Sequence, residues 1–182
     1  MNQRDVQKLA TRRALSAAAV ELFSSQGYDE TRIEDIAAAA GVSSRTFFLH
    51  FPSKDADAFP DHDERVTALA AALTADDAND PLPFLREQIV SGVRHASESR
   101  IRAKRYRLFT SIPALRDRDV LADLDYEVVI AAHLASRGHA EFDARRIAAG
   151  CMGIARAALA TWADDPSFDP VGAAAQALAR LS

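Results

Sequence analysis

Apolar residues recur three or four positions apart along most of the chain, the spacing that places side chains on one face of an α-helix. Leu15, Ala19 and Leu22 form such a stripe before Gly27, and residues 82–96 contain another. Alanine is abundant, and β-branched residues rarely alternate with polar ones. The pattern therefore predicts an all-α fold of about nine helices.

Two short helices are predicted after the first long one. Thr31 and Glu34 have the spacing of a capping box, which would begin the second helix. Gly41 permits a left-handed turn, and Ser43 caps a third helix that ends before Pro52. Two short helices joined in this way form a helix-turn-helix, although a tight turn within a helical bundle would have the same pattern.

The residues around the third helix have the chemistry of a DNA-binding surface. In a helix-turn-helix, the second helix enters the major groove with its N-terminal residues at the base edges. Arg45 can donate two hydrogen bonds to a guanine there. We expect Lys54 to contact a phosphate from the beginning of a fourth helix, predicted from Ser53 to about Ala75 with a kink at Pro60.

Charge adds little to this picture. The net charge is −4 and the sequence pI is about 5.7. Residues 1–54 hold seven basic and six acidic side chains, a balance of +1. Non-specific DNA binding should therefore be weak, and affinity should depend on a few phosphate contacts and on base readout.

The later helices are predicted from proline, glycine and aspartate positions. Residues 112–114 should form a turn before a helix from Val120 to Arg137, which ends at Gly138. Asp143 should cap the next helix, and Asp169, followed by proline, should cap the last one.

Several other classes of protein are not favoured by the sequence. Cys151 is the single cysteine and has small or apolar neighbours, so we expect a buried, inert thiol and no intramolecular disulfide. The N-terminus lacks an apolar signal segment and no apolar run reaches about 18 residues, so we expect a cytoplasmic protein with no membrane partner. No Glu-x-x-His pair, phosphate-binding loop, dinucleotide motif or nucleophile elbow is present, so we expect no enzyme, cofactor or metal. Residues 61–63, Asp-His-Asp, are more typical of a capped turn than of a metal site.

Several segments together resemble the tetracycline-repressor (TetR) family: residues 18–23 with Gly27-Tyr28, residues 31–43, and residues 46–54. The resemblance covers about the first third of the chain. It implies a homodimer in which residues 1–52 form a three-helix DNA-binding domain and residues 53–182 a helical domain for ligand binding and dimerisation.

The resemblance also assigns the DNA contacts. It places Thr31 and Arg32 against the DNA backbone at the start of the second helix. Phe48 and His50 stand where the family often has tyrosine, so the phosphate contact of a tyrosine hydroxyl is missing at Phe48. The full set implied to contact DNA is Thr31, Arg32, Ser43, Ser44, Arg45, Thr46, Phe48, His50 and Lys54.

The C-terminal part contains a proline-kinked fourth helix after Phe59, Ile-Pro-Ala-Leu at residues 112–115, and Arg-Ala-Ala-Leu at residues 156–159 near Trp162. In these features it resembles regulators with an acyl-CoA-type or mycofactocin-type sensing domain. Apolar and aromatic side chains could line a ligand cavity, although a plain core would have the same pattern. Residues 92–118 hold eight basic and two acidic side chains, and this excess could bind the phosphates of a coenzyme A thioester. It could equally be a solvated face, neutralised by the acidic residues between 119 and 127. The candidate ligand residues are Phe59, Leu85, Ile89, Val93, Arg105, Phe109 and Trp162.

Small residues on the last two helices predict a subunit interface. Glycine inside a helix costs about 1 kcal/mol relative to alanine, which is tolerable where another helix approaches closely. Packing within one chain would explain the same face. The candidate interface residues are Gly150, Gly153, Ala157, Ala177 and Leu181.

We therefore predict a sequence-specific DNA-binding transcriptional regulator, a ligand-released repressor that acts as a homodimer on a palindromic operator. Its expected partners are double-stranded DNA, a second copy of the chain and a small-molecule effector, for which an acyl-CoA-like compound is a candidate. The alternatives are a helical protein-interaction bundle and an activator without a small-molecule ligand.

Overall fold

The computed structural model describes residues 3–56, 60–98 and 100–181, and within these residues it contains nine helices and no strand. The all-α prediction is confirmed. The helices are α1 (Gln3–Gln26), α2 (Ile33–Ala39), α3 (Ser44–His50), α4 (His62–Thr74), α5 (Pro81–Ser97), α6 (Arg100–Ser111), α7 (Pro113–Ser136), α8 (Glu141–Asp164) and α9 (Pro170–Ala179).

The chain divides into two compact units. The first comprises the described residues within Met1–His62 together with Leu108–Arg118, and the second those within Asp63–Arg107 and Asp119–Ser182. The division into residues 1–52 and 53–182 was based on the family resemblance, whereas these two units are defined by compactness. That division stays a prediction.

The N-terminal part of the first unit is a small three-helix core. Its apolar stripes meet as the helical spacing predicts, because residues three and four apart share a helix face. Gly27 and Gly41 adopt φ values of +92° and +72°, which side chains other than glycine rarely tolerate. The buried apolar side chains of this core are Leu15, Ala19, Val20, Phe23, Ile36, Ala37, Phe47 and Phe51.

The second unit has its core between α5, α8 and α9, with side chains from α4 and α7 completing it. Leu85, Ile89 and Val93 form the buried stripe of α5. Asp169 caps α9 by accepting hydrogen bonds from the backbone N–H groups of Val171 and Gly172, each at 3.0 Å, as predicted. No helix among the described residues is long and apolar enough to cross a membrane.

Three predicted helix boundaries are wrong. Helix α4 begins at His62 instead of Ser53, because Pro60 cannot donate a backbone hydrogen bond inside a helix. Helix α7 begins at Pro113 instead of Val120, since proline is well tolerated at the first helical position, where no partner for its N–H is needed. The cap of α8 is Ala140, and Asp143 lies inside the first turn, where negative charge is favourable.

Candidate nucleic-acid interface

The turn between α2 and α3 has the hydrogen bonds of a tight helix-turn-helix. The N–H of Gly41 donates to the Ala38 carbonyl at 3.0 Å, and that of Val42 donates to Ala37 at 2.9 Å. Ser43 caps α3, as predicted, because its hydroxyl accepts from the Thr46 N–H at 3.1 Å. The two hydroxyl oxygens of Ser43 and Thr46 are 2.9 Å apart, so they form a preorganised polar pair at the N-terminus of α3.

Helix α3 presents an outer face made of Arg45, Phe48 and Leu49. All three side chains are exposed, and Phe48 and Leu49 retain 56% and 73% of their accessible surface. On the opposite side, Phe47 is fully buried, and its ring meets the Phe48 ring edge-on at 5.6 Å. Because Phe47 anchors α3 to the core, the outer face is held in a fixed orientation.

The start of α2 differs from the predicted capping box by one residue. The N-cap is Arg32, whose N–H donates to the Asp35 carboxylate at 3.3 Å. Thr31 is only 2% exposed, and its hydroxyl donates to the Gly27 carbonyl at 2.6 Å. The threonine hydroxyl is thus used to close the loop before α2, and the Arg32 side chain is left exposed at the helix start.

Lys54 lies in a loop that precedes α4 and not at the start of a helix as predicted. Its ammonium donates to the backbone carbonyls of Tyr28, at 2.6 Å, and Thr31, at 3.2 Å. The ammonium also lies 4.1 Å from the centre of the Tyr28 ring, a cation–π distance. Lys54 therefore fixes the loop before α2, a role that the sequence motif did not reveal.

The C-terminal end of α3 is held by Arg12 of α1, which the sequence analysis did not single out. The Arg12 guanidinium donates to the carbonyls of His50, at 3.3 Å, and Pro60, at 2.8 Å, and lies 4.8 Å from the centre of the Phe51 ring. Burial, together with the nearby cations Arg12 and Lys8, lowers the pKa of His50. In the absence of DNA, His50 is therefore mostly neutral near pH 7.

Comparison with known proteins gives two matches that together span most of the chain. The family of bacterial regulatory proteins described as tetR matches residues 15–56, and the MftR C-terminal domain matches residues 79–182. The chain belongs to the TetR family. It is a DNA-binding transcriptional regulator, and the resemblance stated from the sequence is confirmed.

One relative and two solved structures illustrate what the chain is similar to. A Mycobacterium tuberculosis protein named as the mycofactocin biosynthesis transcriptional regulator MftR is 29% identical over 174 residues, which cover 87% of this chain and 88% of that protein. NalD, described as the secondary repressor of the MexAB-OprM multidrug efflux pump in Pseudomonas aeruginosa, has the same fold, with a TM-score of 0.68, 22% identity and 94% coverage of both chains. The TetR-family repressor FadR of Thermus thermophilus, solved in complex with lauroyl-CoA, aligns with a TM-score of 0.59 and 24% identity over 93% of this chain and 92% of that chain.

The predicted ligand residues of this TetR-family regulator lie in different surroundings. Leu85, Ile89 and Val93 are buried in the core of the second unit, and Trp162 packs against that core. Phe109 is buried in the first unit, and Arg105 is half-buried in the second. Phe59 lies outside the described residues. Their contact with a ligand stays a prediction.

A partly buried pair in the second unit, Asp123 with Arg156, was missed as a candidate site. Asp123 of α7 is 9% exposed and accepts a hydrogen bond from Arg156 of α8. Burial and the nearby Asp119 raise the pKa of Asp123 to about 7 against the opposing effect of Arg156, and burial raises the pKa of Asp119 to about 6. The sequence pattern predicted that these acids neutralise the basic residues between 92 and 118 on a solvated face, but Asp123 instead connects α7 to α8. The spacing of four between the two aspartates, which places them on one helix face, was the available signal.

The predicted interface residues are divided by the structure. A Cβ atom at Gly150 would lie 2.9 Å from the Leu181 methyl carbons, so these two residues pack together within one chain. At Gly153, a Cβ would meet nothing within 4 Å, and Ala157 is exposed. Ala177 is half-buried on α9. Contact with a second subunit stays a prediction for all of them.

Metal-binding clusters and the cysteine were the remaining candidates for a chemical site. The described residues contain no cluster of three or more histidine, cysteine, aspartate or glutamate side chains able to hold a metal ion. Cys151 is buried, and burial raises the pKa of its thiol to about 11. The thiol is therefore almost entirely protonated and unreactive at neutral pH.

Proposed function

We propose that this protein is a homodimeric repressor whose two α3 helices bind the half-sites of a palindromic operator, and that a small-molecule effector releases it. The observation that carries the proposal is the outer face of α3, on which an exposed arginine follows a capped helix N-terminus in a rigid helix-turn-helix. Such a helix presents its N-terminal side chains to base edges in the major groove.

The proposed DNA contacts fall into two groups. Arg45 reads a guanine, while Ser44 and the paired hydroxyls of Ser43 and Thr46 serve base or phosphate. Arg32 at the start of α2, together with Phe48 and His50 in the C-terminal half of α3, contacts the DNA backbone. Thr31 and Lys54 enter as positioning residues, because their polar groups already bind the loop before α2.

We propose that the effector is acyl-CoA-like. The lauroyl-CoA complex of Thermus thermophilus FadR, which has a similar fold, supports this class of ligand. The apolar stripe of Leu85, Ile89 and Val93 would accommodate the acyl chain, with Trp162 packed against the same core, and Arg105 of the same unit would receive a phosphate. Phe59 and Phe109 stay candidates from the sequence alone. No catalytic step is part of this proposal, and the protein would act in the cytoplasm, where its operator DNA lies.

Selection of bound sequences from a random DNA pool tests the regulator and its effector together. The selection is run with the protein alone, with palmitoyl-CoA, and with coenzyme A or palmitate as matched controls. We expect a palindromic consensus that is lost with palmitoyl-CoA and retained with either control. Recovery of no consensus would contradict DNA binding through α3, whereas a consensus that persists with palmitoyl-CoA would contradict only the acyl-CoA effector.

The dimer is tested separately by sedimentation. Ala157→Glu places a charge on the exposed side of α8, and we expect it to weaken self-association by at least tenfold, since an unpaired charge in an interface is costly. Ala132→Glu is the matched control, because Ala132 is an exposed alanine on α7. Equal association of both variants would contradict an α8 interface.

A further inference from the structure

We propose that Leu49 is a specificity-determining residue that recognises the C5-methyl group of a thymine in the operator. The proposal rests on the proposed function, since it requires α3 to enter the major groove. It adds an apolar reader to the polar set of residues around Arg45.

The first observation is the exposure of Leu49. Four large apolar side chains lie between positions 47 and 51, and the core takes up only Phe47 and Phe51. Leu49 keeps 73% of its surface in water and Phe48 keeps 56%. Leaving a leucine exposed forgoes the free energy of its burial, which becomes available when another molecule covers it.

The second observation is the position of Leu49 relative to Arg45. The two residues are four apart in α3, so their side chains lie on the same helix face, and both are exposed. A helix that brings Arg45 to a guanine edge therefore also brings Leu49 into the groove, one turn further along. Phe48, three residues after Arg45, borders the same face, but it is less exposed than Leu49 and packs edge-on against the Phe47 ring.

The chemistry of Leu49 limits what it can recognise there. An aliphatic side chain cannot exchange hydrogen bonds with base edges, and the one apolar group in the major groove is the methyl of thymine. Because residues 1–54 carry a balance of only +1, operator choice depends strongly on such groove contacts. The geometry therefore assigns Leu49 to an A·T pair close to the guanine that Arg45 reads, because the two side chains are one turn of α3 apart.

Methyl deletion in the DNA tests this directly. Each thymine of the selected operator is replaced in turn by deoxyuridine, which removes only the methyl group, and affinity is measured for the wild type, Leu49→Ala and Leu49→Met. We expect one symmetric pair of thymines at which the replacement lowers wild-type affinity by about fourfold per methyl, the effect of burying one such group. The loss should disappear in Leu49→Ala and remain in Leu49→Met, whose side chain is still apolar and long.

Controls separate the possible outcomes. Leu121→Ala removes an exposed leucine from α7 and should keep the full methyl effect. A methyl effect that survives in Leu49→Ala but is lost in Phe48→Ala, or no methyl effect at any thymine, would overturn the assignment of Leu49. An operator that none of the proteins binds would instead overturn the proposed function. Circular dichroism of each variant shows that the exposed position can be changed without unfolding.

Discussion

The ammonium of Lys54 lies over the ring of Tyr28 and donates to the carbonyl oxygen of the same residue, at 2.6 Å. A second hydrogen bond, to the Thr31 carbonyl, closes the loop between α1 and α2 around this one cation. Lys54, four residues after the end of α3, thus secures the segment that precedes α2.

Lys54→Met should separate a positioning role from a phosphate contact. Hydrogen bonds from a charged donor contribute about 1.5–3 kcal/mol, so we expect the free energy of unfolding to fall by about 2 kcal/mol in urea denaturation. The dependence of operator affinity on salt should keep its slope, because no phosphate contact is lost.

Arg32→Ala serves as the comparison, since the Arg32 side chain is exposed at the start of α2. In Arg32→Ala, the slope of log operator affinity against log salt concentration should decrease in magnitude by about one, while the free energy of unfolding hardly changes. A decrease of the slope in Lys54→Met would show that Lys54 binds a phosphate in the complex.

Arg45→Ala should weaken operator binding by about 1–3 kcal/mol and relax the preference at one base pair of each half-site. The reason is that a bidentate contact to guanine is lost from an exposed position, with no effect on the core. Selection from a random pool measures both quantities, and Arg180→Ala, an exposed arginine after α9, should change neither. Unchanged preference in Arg45→Ala would remove Arg45 from the reading residues.

The sequence predicted those parts of the molecule that depend on local rules. Ser43 caps α3 and Gly41 turns the chain because each requires only its near neighbours. The contacts of Lys54 with Tyr28 and of Arg12 with His50 join residues 26 and 38 positions apart, and no helical periodicity encodes such pairs. The exposure of Leu49 could not be predicted either, because a leucine among phenylalanines has the pattern of a core residue.

The Asp123–Arg156 pair should make folding stability depend on pH. The pKa of Asp123 is raised from an ordinary value of 3.8 to about 7, and that of Asp119 to about 6. Between pH 3.8 and about pH 7 the folded protein holds more protons than the unfolded chain. The free energy of unfolding is therefore greatest at the acidic end of this range and falls as pH rises through about 7. Each group can contribute a slope of up to about 1.4 kcal/mol per pH unit.

Asp123→Asn should flatten that decline between pH 5 and pH 8, because asparagine has no proton to lose and its carbonyl still accepts from Arg156. Near pH 5 the variant should resemble the wild type, in which Asp123 is protonated. Urea unfolding at a series of pH values gives the slopes, with Asp117→Asn, at an exposed position on the same helix, as control. Identical slopes for Asp123→Asn and the wild type would mean that Asp123 stays ionised in the folded protein.

Gly150 and Gly153 lie three residues apart on α8, and alanine at the two sites should have different consequences. A methyl at Gly150 would press on the Leu181 methyl groups of the same chain, which lie at the end of a flexible side chain and can shift. We therefore expect the displacement of Leu181 to offset the gain in helix propensity of about 1 kcal/mol, so that Gly150→Ala changes stability little. The dimer affinity of Gly150→Ala should equal that of the wild type.

A methyl at Gly153 meets nothing within the protomer, so any cost must come from a partner helix. We expect Gly153→Ala to weaken the dimer by about 1–3 kcal/mol, the usual effect of overpacking, as measured by sedimentation at several protein concentrations. If Gly153→Ala instead stabilises the protein and dimerises like the wild type, the two subunits do not approach each other closely at this glycine.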